Sequence, residues 1–213
     1  MSGFLLPPLA VLFVGLLLSL LTANLNPSFQ ADVSLYPTPS AGAPLGLSPL
    51  FRPEVRAWAA SITHWAAASD LDPNLVAVVM QIESCGDPRA LSRSGAMGLF
   101  QVMPFHFRAG DDPYDPDTNA LRGLSYLKRA LEAANGNPRL ALAAYNGGMG
   151  VIGRAEWLWS AQTARYVQFS GPIYEDARLG AASSPTLEEW YVRYGISLCQ
   201  QAAHRLGLTQ IEK

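Results

Sequence analysis

Between Val76 and Pro104 the chain reads VAVVMQIESCGDPRALSRSGAMGLFQVMP, and one carboxylate in it restricts the fold more than any other residue. Leu75, Val78, Val79 and Ile82 recur at helical spacing, which marks a buried face. Glu83 then falls on the core-facing side, four residues after Val79 and three after Met80. A carboxylate in that place is costly to desolvate unless it is paired or protonated. Ser84, Cys85, Gly86, Asp87 and Pro88 break the helix immediately afterwards. The pattern therefore predicts an acid at a helix end, facing a cleft.

The first residues indicate where such a domain works. Phe4 to Leu21 is a run of 18 residues without a charge, which as a helix extends about 27 Å and is long enough to cross a bilayer core. No Lys or Arg precedes it, and Leu21-Thr22-Ala23 offers a cleavage context. Two readings stand for residues 1–23, a retained single-pass anchor or a cleaved signal peptide. Either places the rest in the cell envelope, outside the cytoplasm, as a membrane-anchored or secreted protein. No cysteine precedes Cys85, which argues against lipoprotein processing. Residues 24–53 carry six prolines and only Asp32 and Arg52 as charges, the composition of an extended tether. The remaining chain, roughly 160 residues, is enough for one domain with its own core.

Helical patterns fill that domain. Val55, Trp58, Ala59, Ile62, Trp65 and Ala66 form one apolar face of a helix over residues 54–69, with Glu54, Arg56 and Ser61 off it. Trp58 and Trp65 read as core residues rather than sugar platforms. Asp72-Pro73, Asp115-Pro116 and Asn137-Pro138 each pair a capping side chain with a proline suited to the first helical turn. The second predicts a helix to about residue 134 with Leu121, Leu124, Leu127 and Leu131 buried, stopped by Asn135-Gly136. The third predicts a helix ending at Tyr145-Asn146-Gly147-Gly148.

At Glu83-Ser84, followed by GLFQVMP at Gly98 to Pro104, the sequence resembles the lytic transglycosylases of the soluble SLT type, relatives of goose-type lysozyme. A second block, from DPDTN at Asp115 through Tyr126-Leu127 to LALAAYNGG, is similar to the family's second motif region at matching separation. A third, Gln162-Thr163-Ala164-Arg165-Tyr166-Val167, matches a Glu-Thr-x-x-Tyr-Val segment except that glutamine stands where the family has glutamate. That substitution keeps size and hydrogen bonding and removes a charge. The resemblance covers roughly Leu71 to Gly171. It implies a mostly α, lysozyme-like helical domain, spanning residues 54–180, with residues 181–213 as a helical extension packed on it.

Protonating a glycosidic oxygen needs a carboxylic acid that is neutral near pH 7, which apolar surroundings provide by raising its pKa. Glu83 fits that role. Ordinary glycosidases need a second carboxylate, and Asp87, flanked by Gly86 and Pro88, is the nearby candidate. The resemblance implies instead a route with one carboxylate, in which the muramyl 6-hydroxyl attacks its own anomeric carbon and Glu83 serves as acid and then base. Tyr145, Asn146 and Tyr166 are then expected to meet the reacting sugar, and Ser84, Gln101 and Met103 to line the glycan groove. The implied partner is the peptidoglycan strand. The alternatives are a hydrolase of the same fold, using Asp87, and a catalytically idle peptidoglycan-binding module.

Other chemistry finds less support. The net charge of −2 gives no basic footprint for nucleic acid. The three histidines show no metal-ligand spacing, so neither metal nor cofactor is expected. Cys85 with His106 or His64 lacks an activating context for thiol catalysis. Two cysteines outside the cytoplasm suggest a bridge. Cys199 falls on a predicted helix over about residues 187–206, on a face with Val192, Ile196, Ala203 and Leu206. Cys85 and Cys199 are either bonded, pinning this helix beside the acid, or two free buried thiols. The extension's aromatics, Trp190, Tyr191 and Tyr194, would pack, close one end of the groove or dock another envelope protein.

Overall fold

The computed structural model describes residues 46–208. The apolar run at residues 4–21 and most of the tether lie outside the described residues. Within them the chain forms α1 (Pro53–Arg56), α2 (Ala59–Ser69), α3 (Pro73–Glu83), α4 (Pro116–Ala133), α5 (Pro138–Gly147), α6 (Ala161–Arg178), α7 (Pro185–Trp190) and α8 (Ile196–Arg205). A π-helical turn, Tyr191–Gly195, joins the last two. The described residues hold no strand, only isolated bridges pairing Met97 with Leu91 and Val102. The expected mostly α domain is what the sequence builds. No helix among the described residues is long and apolar enough to cross a membrane.

The three proline caps form as their chemistry dictates. Asp72 Oδ1 accepts from the Asn74 amide at 2.7 Å, Asp115 Oδ1 from that of Thr118 at 2.8 Å, and Asn137 Oδ1 from that of Leu140 at 3.2 Å. Each satisfies a donor that the first helical turn leaves without a carbonyl. Asn135 and Gly136, both at positive φ, end α4 where expected.

Helix α3 departs from the one-stripe expectation, since every residue from Asn74 to Gln81 is buried. A helix apolar all round belongs at the centre of a fold, and α3 packs against both α2 and α6. Its two buried polar residues, Asn74 and Gln81, are satisfied by the chain just before α1. Asn74 Oδ1 accepts from the Ser48 amide at 2.8 Å and Gln81 Oε1 from the Arg52 amide at 3.1 Å. Leu50 and Phe51 consequently enter the core, so the last residues assigned to the tether belong to the domain. Apolar side chains two or three residues ahead of a proline outweigh the loop-like composition around them.

The first predicted helix is interrupted at Ala57 and Trp58, and Glu54, expected off the buried face, is itself buried. Trp58 and Trp65 stack with centroids 6.0 Å apart. Their indole nitrogens donate to the Gly86 carbonyl at 2.9 Å and to Asp117 at 2.7 Å, so both are structural anchors, as expected. On α4, Leu121 is exposed and the buried face runs instead through Ala120, Gly123, Leu124, Leu127 and Ala130. Small residues there admit close helix contacts that a leucine count overlooks.

The C-terminal extension packs into the same core through Leu187, Trp190, Cys199 and Ala202. Its predicted face is out of phase, because Val192 and Ile196 are exposed. The π turn adds a residue to one helical repeat and rotates everything after it. A Cys85–Cys199 disulfide fastens the extension to the end of α3. Asp87, fully buried, adds a polar clamp, accepting from Gln201 Nε2 at 2.8 Å, Arg205 Nε at 3.1 Å and the Arg89 amide at 2.9 Å. Losing these bonds and leaving Arg205 without its partner makes Asp87→Ala cost about 2–3 kcal/mol. Chemical denaturation checks this, and a cost below about 1 kcal/mol would show that the clamp holds nothing.

Candidate active site

Glu83 is the last residue of the buried helix α3, and its carboxyl emerges into an open pocket of about 240 Å³. Ile82 joins it from α3, Asn146 from the end of α5, and Gln162, Arg165, Tyr166 and Phe169 from α6. Trp190 and Tyr194 complete the lining from the extension. Burial pushes the Glu83 carboxyl up to about 8, so it holds its proton at neutral pH. The Tyr166 hydroxyl favours the ionised form and offsets part of that shift. Tyr166 is buried and its oxygen has no partner at proper hydrogen-bond geometry, leaving it available inside the pocket. Burial, followed by the nearby Glu83, raises the Tyr166 phenol well above its usual range.

Tyr145 also feels Glu83. Its phenol is raised by burial first and by Glu83 second, and its hydroxyl donates to the Phe100 carbonyl at 2.7 Å. Tyr145 thus braces the GLFQ loop beside the acid and offers a sugar only its acceptor side. Asn146 Oδ1 accepts from Thr163 Oγ1 at 3.3 Å, which joins the end of α5 to α6 through the amide oxygen.

Ser84 is a correction. It is fully buried, donating to the Leu99 carbonyl at 2.7 Å and accepting from the Gly86 amide at 3.1 Å, so it shapes the loop rather than lining a groove. A hydroxyl at a helix end finds backbone partners before it finds solvent. Gln101 and Met103 are half-buried and lie outside the pocket lining. Gln101 sits at φ 46° and donates through Nε2 to the carbonyls of Gly98 at 3.0 Å and Ala90 at 3.2 Å. Asp87 is committed to its clamp on the extension and is absent from the lining. The disulfide removes Cys85 from any thiol chemistry.

Three contributors are not among the expected site residues, although the first, Asn119, ends the DPDTN motif. Asn119 accepts from the Phe100 amide at 2.9 Å and donates to the Met97 and Pro113 carbonyls, both at 2.8 Å, and so holds the GLFQ loop from α4. A Cβ on Gly98, at φ 75°, would collide with that Asn119 side chain, which explains the glycine. Trp190 and Tyr194 stand out in the sequence only as aromatics, and the π turn is what brings both into the lining of one pocket.

The transglycosylase SLT domain family model matches residues 60–166. Among known proteins, the transglycosylase of Enterobacteria phage PRD1 is 39% identical over 111 residues, covering 51% of this chain and 40% of that protein. The membrane-bound lytic murein transglycosylase C of Photorhabdus laumondii subsp. laumondii is 33% identical over 129 residues, covering 49% of this chain and 36% of that protein. The chain therefore spans less than half the length of these curated relatives. Among solved structures, an inactive mutant of the lytic transglycosylase Slt from Pseudomonas aeruginosa matches with a TM-score of 0.42 and 25% identity, over 71% of this chain and 24% of that one. The matched region contains Glu83, the GLFQ loop, Tyr145, Asn146 and Tyr166, and through it the chain belongs to the transglycosylase SLT domain family.

Proposed function

We propose that this protein is a peptidoglycan lytic transglycosylase, cleaving the β-1,4 bond between N-acetylmuramic acid and N-acetylglucosamine and leaving a 1,6-anhydromuramyl end. The observation that carries the reading is a lone carboxyl, Glu83, held protonated at neutral pH in a pocket whose lining contains no second carboxylate. Gln162, standing in that lining where the family has glutamate, keeps it so. In the first step Glu83 gives its proton to the glycosidic oxygen as the bond to the anomeric carbon breaks. The muramyl 6-hydroxyl then bonds to that carbon and returns its proton to Glu83. Water enters neither step, and an internal nucleophile already in position takes its place. In this reading Tyr166 and Asn146, which line the pocket beside Glu83, hold the reacting sugar. Relatives named as murein transglycosylases support the same substrate.

The setting we infer is the cell envelope outside the cytoplasm, with glycan strands as the partner and residues 1–23 as anchor or export signal. Lining of the pocket by Trp190 and Tyr194 favours the groove-closing use of the extension over docking of another envelope protein.

Mass analysis of muropeptides released from purified peptidoglycan by the full chain in mild detergent tests the reaction. Anhydromuramyl ends are the expected product. Reducing ends, heavier by one water, would mean hydrolysis by a lysozyme-type route. Strand binding without release would leave a binding module.

A further inference from the structure

The disulfide that fastens the extension has a third neighbour. Glu54, in the first turn of α1, is only 8% exposed, and its Oε2 has no hydrogen-bond partner. One ligand atom from each of Glu54, Cys85 and Cys199 lies within 4.8 Å of the other two. The local backbone builds this closeness. Gly86, at φ 85°, passes so near α1 that a Cβ on it would stand 2.7 Å from the Glu54 carbonyl oxygen, and the Trp58 indole bonds the Gly86 carbonyl from the same side chain cluster. Gln81 aims a donor at the sulfurs, its Nε2 lying 3.1 Å from Cys85 Sγ and 3.9 Å from Cys199 Sγ. The Arg52 amide holds the other end of that side chain.

A carboxyl oxygen left without a partner in a core is costly, and a disulfide sulfur has no proton to give it. Two thiols in the same place change the chemistry. Two thiolates and a carboxylate are a ligand set for Zn²⁺, and an N–H aimed at the sulfur is the kind of outer contact that orients such ligands. Zinc bonds of about 2.3 Å to sulfur and about 2.0–2.2 Å to oxygen put tetrahedral ligand atoms about 3.5–3.8 Å apart. Once the sulfurs are free to part, a spread of 4.8 Å closes by shifts of roughly an ångström. We propose that Glu54, Cys85 and Cys199 form a zinc site whenever the two cysteines are thiols. A dithiol reductant breaks the sulfur–sulfur bond, gives two electrons and two protons to the cysteines, and closes into its own disulfide. Zn²⁺ then displaces both thiol protons to solvent and bonds the two thiolates and the Glu54 carboxylate, keeping its oxidation state, with a water in the fourth position. The metal joins the same two points as the disulfide, so the extension stays on the end of α3 in either redox state. The site does not depend on the chemistry proposed for Glu83.

Metal binding to the full chain without an affinity tag, in mild detergent, tests this, with the thiols kept reduced by a phosphine under argon. Competition against a chromophoric chelator is expected to give one tightly held Zn²⁺ per reduced chain and no comparable one per oxidised chain. Co²⁺ used as the probe should show the near-ultraviolet charge-transfer band of thiolate ligation, lost in Cys199→Ser. Glu54→Gln keeps the shape of the side chain and removes the anionic ligand, and should weaken zinc at least about tenfold. That variant is prepared oxidised, with the disulfide holding its fold, and reduced only for the titration. Free Zn²⁺ at about 100 times its dissociation constant should raise the melting temperature of the reduced chain by about 5–10 °C and leave that of the oxidised chain unchanged. Zinc taken up equally by both redox forms, a cobalt complex without the thiolate band, or an undiminished affinity in Glu54→Gln overturns the site.

Discussion

Glu83→Gln is expected to lower release of anhydromuramyl products by at least about 10³-fold, since in the proposed route one carboxyl serves as both acid and base and each role contributes about 10²–10⁴. Glutamine keeps the shape of the side chain, so the loss reports the proton and not the packing. The same substitution has a second signature. Folded Glu83 titrates near 8, against the ordinary 4.5, so between those values the native state binds a proton that the unfolded chain has released. Stability from this group therefore falls as pH rises from about 4.5 to about 8. Glutamine does not titrate. Glu83→Gln should raise the melting temperature relative to wild type by several degrees more at about pH 8 than at about pH 5, and wild-type turnover should decline above about pH 8 as the acid ionises. Equal melting differences at both pH values would mean that the carboxyl is not protonated in its pocket. Full activity in the variant would end the single-acid mechanism.

The second large effect is on stability. The disulfide closes a loop with a sequence separation of 114 residues, and in the chain-entropy account a closure of about 100 residues contributes about 4–5 kcal/mol. Cys85→Ala with Cys199→Ala is expected to cost about 3–5 kcal/mol, or roughly 10 °C in melting temperature for a domain of this size. The bond begins two residues after the acid, and the extension it fastens supplies Trp190 and Tyr194. Activity should therefore fall before the fold does, at temperatures where far-ultraviolet circular dichroism is still native. Thermal scans of oxidised and reduced protein, read against turnover at each temperature, check both parts. A shift under about 3 °C would show that the core holds the extension unaided.

What is legible in the sequence and what is hidden there differ by the range of the interactions involved. The caps at Asp72, Asp115 and Asn137 are legible because a cap is a contact between residues two or three apart. Glu83 is legible because an acid in an apolar stripe conflicts with its surroundings, and such conflicts tend to mark function. Ser84 is not, since its partner is a backbone carbonyl fifteen residues on, at a place that motif spacing does not specify. Periodicity alone puts Leu121 and Val192 in the core. The first loses to a face built from alanine and glycine, and the second to one extra residue in a π turn.

Helix α3 is buried from Asn74 to Gln81 and opens at its last two residues, Ile82 and the acid. Its amide hydrogens should therefore exchange with solvent only through global unfolding, with the slowest rates in the molecule. The proposed proton donor is thus rooted in the segment that opens last, while its own carboxyl stands at the end that faces solvent.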